Sequence, residues 1–250
     1  MGDRHMQVHF ISDLHLTADR PALTAVFERY LTGPARAAER LYILGDLFEY
    51  WSGDDDLDDP LNTRIADQLA SLAEGGCQIF FMHGNRDLLI GEGFATRANL
   101  RILPEPGLIQ LGDERFVLCH GDNLCTDDVA YQAFRAQVRN PAWQAGFMSQ
   151  PLAARKQFIA GLRMKSEAAK SEKTAEIMDV NADAVAALIR DNGFPRLIHG
   201  HTHRPDMNRM DVDGHACERW VLADWRDETE TAQGEVLVWA DGNLSRQPLY

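Results

Sequence analysis

The chain has 250 residues, 45% of them hydrophobic, and a formal net charge of −13 at pH 7. That length and apolar content bury a full core as one large domain or as a domain with an insertion, and the acidic balance excludes general affinity for nucleic acid. No apolar stretch reaches the roughly 18 residues of a spanning helix and no basic-then-apolar leader opens the chain, while four cysteines without a C-x-x-C pair suit free thiols in a reducing cytoplasm.

The opening "MGDRHM" has no apolar period, and Met6 is read as the natural start. Short apolar runs then predict strands at "QVHFI" (7–11), "RLYIL" (40–44), "QIFFM" (78–82), "RFVLC" (115–119) and "RLIH" (196–199). Their nearly continuous apolar character marks strands covered on both faces. Helices fill the gaps. "PALTAVFERYL" places Pro21 in a favoured first turn, and "LNTRIADQLASLAEGG" ends on two glycines. Between Tyr131 and Lys173 eight Lys or Arg face two acids, a net +6 that leaves −19 for the rest of the chain. Beyond "RLIH", the runs "DMNRMDVDG", "ACERWVLAD", "GEVLVWADG" and "LSRQPLY" predict successive strands separated by turns. The class is therefore α/β, with no internal repeat and no low-complexity segment.

The polar residues sit where the strands end. "SDLH", "GDLFE", "HGNRD", "HGD" and "HGHTH" follow the five predicted strands. Ligands of open α/β sheets bind beyond the carboxyl ends of strands, so all five clusters are expected at one edge. Asp13, His15, Asp46, Asn85, His120, His201 and His203 offer carboxylate, amide and imidazole groups but no thiolate, a donor set that favours a pair of divalent ions such as Mn²⁺. Asp46 is the natural bridge. Gly45, Gly84, Gly121 and Gly200 supply permissive backbone beside these ligands. In an extended chain His199, His201 and His203 would point to one side.

The set D-L-H, G-D, G-N-R-D, H-G-D and G-H-T-H resembles the calcineurin-like metallophosphoesterase superfamily over nearly the whole chain. That resemblance implies a two-sheet α/β sandwich flanked by helices, and a dinuclear centre of two Mn²⁺ per chain. Asp13, His15 and His203 would hold one ion, Asn85, His120 and His201 the other, and Asp46 both. His199 would then face away or lie behind the ligands. "YILGDLFEYWSGDDD", "HGNRDLLIG", "HGDNLCTDD", "EIMDVN" and "LIHGHTHRP" are similar, more narrowly, to the lipid A-pathway family that hydrolyses the pyrophosphate of UDP-2,3-diacylglucosamine. This implies water attack at the α-phosphorus, releasing UMP and 2,3-diacylglucosamine 1-phosphate. Asp13, His15, Asp46, Asn85, Arg86 and His120 would be catalytic.

The superfamily usually carries His after its G-N pair, and Arg86 stands there in this chain. Arginine does not donate its proton at working pH, so Arg86 would neutralise charge on a phosphate leaving group; the alternative is an arginine tied to a structural acid such as Asp87. The resemblance divides the chain into a core (6–124 and 181–250) and a helical cap insertion (125–180). Asn85, Arg86, Asp128, Ser166, Lys170, Lys173 and His201 would contact substrate, although relatives carry a small polar residue where Lys170 stands. The cap joins apolar residues to Arg155, Lys156, Arg163 and Lys165, as docking on an anionic membrane would require. The implied location is cytoplasmic, peripheral on the inner membrane, with no obligate protein partner. Alternatives are a metallophosphoesterase for a non-lipid nucleotide or phosphoester, and a non-catalytic scaffold. The acidic run "GDDDLDD" reads as a solvated loop, His9 and His83 as core or supporting residues, and Trp51 as either site lining or packing.

Overall fold

The computed structural model describes residues 6–172, 178–227 and 231–250, with only the backbone of Arg163 and of 165–172. The elements run β1 (Gln7–Ile11), α1 (Pro21–Thr32), β2 (Arg40–Ile43), α2 (Pro60–Glu74), β3 (Gln78–Phe81), α3 (Glu92–Ala98), β4 (Leu100–Ile102), β5 (Gly107–Leu111) and β6 (Glu114–Cys119). They continue through α4 (Val129–Val138), α5 (Pro141–Met148), α6 (Leu152–Glu172), α7 (Ala182–Asp191), β7 (Arg196–His199), β8 (Asp206–Val212), β9 (His215–Val221), β10 (Gly234–Ala240) and β11 (Asn243–Leu249). All the predicted strands form. Short β4 and β5 and the two-turn α3 lacked a distinguishing period.

Two sheets result, one in the order β11-β10-β1-β2-β3-β4 and the other β5-β6-β7-β9-β8. Alternation within each strand builds the layers. Val8, Phe10, Tyr42 and Leu44 of the first sheet meet Phe116, Leu118 and Ile198 of the second in a core between the sheets. The opposite faces of β1 and β2, carrying Ile11, Leu41 and Ile43, pack with Phe27, Ile65 and Phe94 of α1, α2 and α3. Val117, Cys119 and Leu197 lie with Val185 and Ile189 of α7. A fully buried side chain of this size contributes roughly 1.5–3 kcal/mol. This is a two-sheet sandwich flanked by helices. The polar clusters do not share one sheet edge: three follow β1, β2 and β3, and two follow β6 and β7 in the other sheet. Face-to-face packing brings the carboxyl ends together.

Local signals fix several helix starts. Asp59 and Asn140 each cap a helix that begins with proline, and Asn181 caps α7. The acidic run is a hub rather than a solvated loop. Asp54 accepts the N–H groups of Gly91, Gly93 and Phe94 at the start of α3 and the Trp51 indole N–H. Asp55 pairs with Arg155, whose guanidinium also donates to Ser52 C=O, and Asp56 lies 2.7 Å from Lys156 Nζ. Arg155 is only 2% exposed. These two cations therefore bolt α6 to the 52–56 loop, and the burial of Arg155 overturns its assignment to a membrane-facing surface, whereas the Lys156 side chain stays 40% exposed. The four cysteines are free and buried.

Candidate metal centre

Backbone conformation is the first mark of the site. Asp13, His15, Asp46, His201 and His203 all have positive φ, between 50° and 67°, a region that non-glycine residues enter at a cost of about 1–3 kcal/mol. The surroundings over-determine these conformations. Asp13 N–H donates to Gly45 C=O (3.1 Å) and His15 N–H to Asp46 C=O (3.0 Å), locking the β1 and β2 loops together. Gly45 itself has φ +89°, and a Cβ there would stand 2.5 Å from Gly84 Cα, so this close approach of the β2 and β3 loops requires glycine. Asp87 completes the brace, accepting the N–H groups of Asp46, Leu47 and Gly84. Burial and the charge of Asp46 push the Asp87 carboxyl up to about 7.

The seven residues expected as ligands converge. Asp46 Oδ2 lies 3.8 Å from His15 Nε2 and 3.7 Å from His120 Nε2. On one side, His15 Nε2 and His203 Nε2 are 3.4 Å apart, and His203 Nε2 is 3.4 Å from Asp13 Oδ1. On the other, Asn85 Oδ1 is 3.1 Å from His120 Nε2 and 3.0 Å from His201 Nδ1. Asp13 Oδ2 accepts from Ser12 Oγ (2.6 Å) and His201 N–H (2.9 Å), while its buried Oδ1 has no hydrogen-bond partner. Among the described residues, Asp13, His15 and His203 form one group able to hold a cation, and Asp13, Asp46 and His120 another.

Electrostatics favour cations here. Burial alone would raise Asp13, yet His203, His120 and His15 hold it well below the usual carboxylate range. Burial likewise opposes charge on His120, but Asp46, Asp13, Asp122 and Glu105 outweigh it and push the imidazole up to about 9. The site thus demands positive charge. His201, lowered to about 4 chiefly by burial, is a neutral imidazole suited to ligation. His120 Nδ1 sits 2.8 Å from Leu44 C=O, so that nitrogen donates and Nε2 faces the cluster. The unpartnered Asp13 oxygen and the convergent imidazoles fit a pair of divalent ions.

His199 stands apart. It ends β7 on the face of Leu197, fully buried, with Nδ1 2.8 Å from Gly200 C=O. The chain leaves the extended form after it, so the alternation expected for the three histidines does not hold: positive φ at His201 and His203, not strand period, aims them inward. Glu49 and Asp224 were missed. Glu49 Oε2 lies 3.1 Å from His15 Nδ1 and Oε1 3.7 Å from Arg86 Nη1, and Asp224 Oδ2 lies 3.4 Å from His203 Nδ1. The first stands in the "GDLFE" cluster, three residues beyond Asp46; nothing local marks the second. Arg86 therefore neighbours Glu49 rather than Asp87.

A cavity of about 530 Å³ starts at His15, Asp46, Asn85 and His203 and runs past Arg86 to Trp143, Phe147, Phe158 and Leu162 of α5 and α6. Asp128 also lines it and caps α4 by accepting Tyr131 N–H. Trp51 does both jobs left open for it, lining the wall while packing on Phe48 and Phe94. The side chains of Ser166 and Lys170, and Lys173 entirely, lie outside the described residues.

The model of calcineurin-like phosphoesterases matches residues 6–205. The chain is 59% identical over 223 residues to the UDP-2,3-diacylglucosamine hydrolase of Aromatoleum aromaticum, covering 89% of this chain and 91% of that one. It is 45% identical over 249 residues to the enzyme of the same name from Stenotrophomonas maltophilia (97% and 100% covered), and 45% over 223 to that of Escherichia coli O81 (89% and 92%). By its match to the family model and its identity to these relatives, this chain belongs to the calcineurin-like phosphoesterase family.

Proposed function

We propose that this protein hydrolyses the pyrophosphate of UDP-2,3-diacylglucosamine in lipid A biosynthesis, with water attacking the α-phosphorus to release UMP and 2,3-diacylglucosamine 1-phosphate. One observation carries the reading: a single cavity joins the ligand cluster to an apolar wall of Trp143, Phe147, Phe158, Ile159 and Leu162. A substrate with a pyrophosphate at one end and acyl chains at the other fits both halves. A non-lipid phosphoester would leave the apolar half unfilled. The names of the relatives support the same substrate.

Asp13, His15 and His203 would hold one Mn²⁺, Asn85, His120 and His201 the other, and Asp46 both. When bound, the ions supply Lewis-acid polarisation of the phosphoryl oxygens and charge neutralisation. The protein supplies the rest. Arg86, lining the cavity and steadied by Glu49, faces the leaving phosphate as a fixed positive charge. It transfers no proton, which a phosphate leaving group does not need. Apolar walls exclude water from all but the reacting end.

Residues 125–180 act as the cap over a core of 6–124 and 181–250, with Asp128, Ser166, Lys170 and Lys173 toward the substrate. Among the described residues no helix is long and apolar enough to cross a membrane. Val129 and Met164, 75% and 70% exposed, give the cap apolar points for peripheral contact with the anionic cytoplasmic face of the inner membrane. The test is turnover, with added Mn²⁺, of UDP-2,3-diacylglucosamine against its deacylated analogue. A preference for the acylated substrate of 100-fold or more is expected, and equal kcat/KM for both refutes the lipid reading.

A further inference from the structure

The two halves of the ligand cluster are supported by different parts of the fold. Helix α4 grips one half. Arg135 Nε donates to Asp122 Oδ2 and Nη2 to Glu105 Oε2, both at 2.9 Å, and the other Glu105 oxygen accepts His120 N–H at 2.7 Å. Tyr131 donates its hydroxyl to Asp122 (2.9 Å) and stacks its ring on His201, 5.9 Å between centroids. Gln132 Nε2 donates to the carbonyls of Asp122 and Cys125. Arg139, which ends the helix, reaches Gly84 C=O (3.4 Å), beside Asn85. So one helix touches the supports of His120, His201 and Asn85. The nearest acids to the outer nitrogens of His15 and His203 come instead from Glu49 and Asp224.

We infer that α4 is the positioning element for one metal position, the one formed by Asn85, His120 and His201, and that Arg135 is its principal positioning residue. The inference rests on reading those three as ligands. Asp122 is completely buried, and its carboxylate and that of Glu105 converge on Arg135, 2.9 Å from each, with Arg139 farther off at 3.5 and 3.8 Å. Removing the Arg135 guanidinium takes away both hydrogen-bonded pairings and leaves the two carboxylates only the longer contacts to Arg139. Glu105 then loses its hold on the His120 backbone, and the 120–125 loop that Asp122 anchors loses its register. Partners of this kind are worth about 10–100-fold in metal affinity. The adjoining flank of α4 carries Phe134 and Val138 into the cavity that Tyr131 also lines, so the same helix links the apolar wall to a metal position.

The test titrates metal-free protein with Mn²⁺ and follows both stoichiometry and the electron paramagnetic resonance spectrum. Wild type takes two ions and shows an exchange-coupled pair. Arg135→Gln is expected to keep one ion at near wild-type affinity and to bind the second 10–100-fold more weakly, giving the spectrum of an isolated Mn²⁺ at intermediate loading. Arg135→Lys, which keeps the charge but not the two-pronged reach, falls between. Asp224→Asn weakens one ion as well, and its combination with Arg135→Gln weakens both, because the two changes act on different positions. If Arg135→Gln binds both ions as wild type does, or loses both equally, the inference is overturned. Should Arg135→Gln not fold, Arg135→Lys decides, and unchanged affinity for both ions overturns the inference. A wild-type protein that takes fewer than two ions overturns the ligand assignment itself, and the inference with it.

Discussion

Arg155 of α6 is buried against Asp55 of the acidic 53–59 run, one hundred residues earlier in the chain, and its guanidinium also donates to the backbone carbonyls of Ser52 and Gln150. The pair fastens the helices that wall the cavity to the loop that follows Trp51. Asp54, next in that loop, fastens the start of α3. One acidic stretch thus sets α3 and α6 relative to the residues around Arg86.

Arg155→Gln should therefore destabilise the protein by about 2 kcal/mol, since a buried guanidinium with several acceptors is lost while Asp55 remains half exposed. Chemical denaturation measures this. Activity on substrate in detergent and in anionic vesicles should fall together, because the residue holds the cavity and does not dock on lipid. A loss confined to vesicles would contradict the clamp.

Asp46→Ala should lower the affinity for both ions and abolish most turnover, because one carboxylate oxygen stands within 3.8 Å of an imidazole from each half. His199→Gln should leave two ions bound, since its ring is fully buried against the Gly200 carbonyl and belongs to neither candidate ligand group. Metal analysis after gel filtration separates the two variants; near-normal turnover with two ions in Asp46→Ala would contradict the bridging role.

Arg86→Ala should reduce kcat/KM for the pyrophosphate by roughly 100-fold or more, the usual worth of a preorganised charge at a developing anion. Arg86→His should not recover it, because a proton donor is not what a phosphate leaving group lacks. Unchanged turnover in Arg86→Ala would remove the residue from the reaction.

Acid should loosen the fold before the surface carboxylates protonate. His9, almost fully buried beside the Tyr30 hydroxyl, is lowered to about 4 by burial, and His199 likewise. A folded-state value below the unfolded one means that the stability held above about pH 6.5 is lost as pH falls toward 4. For His9 alone the loss amounts to roughly 3 kcal/mol at pH 4. His9→Phe should flatten the metal-free Tm-versus-pH curve over that window, and an equally steep curve would contradict the assignment.

Much of this was legible because the motifs follow strands. The runs ending at Ile11, Ile43, Phe81, Cys119 and His199 announced themselves by apolar continuity, and each is followed by residues of the candidate metal cluster. What stayed hidden depended on distance in sequence. Glu105 and Asp122 meet Arg135 only because β5, β6 and α4 come together, and the acids at 54–56 look solvated until α3 and α6 are in place. The histidines of "HGHTH" misled for a local reason: strand period predicts a shared face, but the strand ends at the first of them. Net charge misled as well, since Arg135, Arg139, Arg155 and Lys156 of the basic segment are paired with acids outside it.

The most direct measurement is hydrolysis of UDP-2,3-diacylglucosamine by the Mn²⁺-loaded protein in ¹⁸O-water, with mass analysis of both products. Water attack at the α-phosphorus places one ¹⁸O in UMP and none in 2,3-diacylglucosamine 1-phosphate. Label in the lipid phosphate instead, or no cleavage of the pyrophosphate at all, would contradict the account.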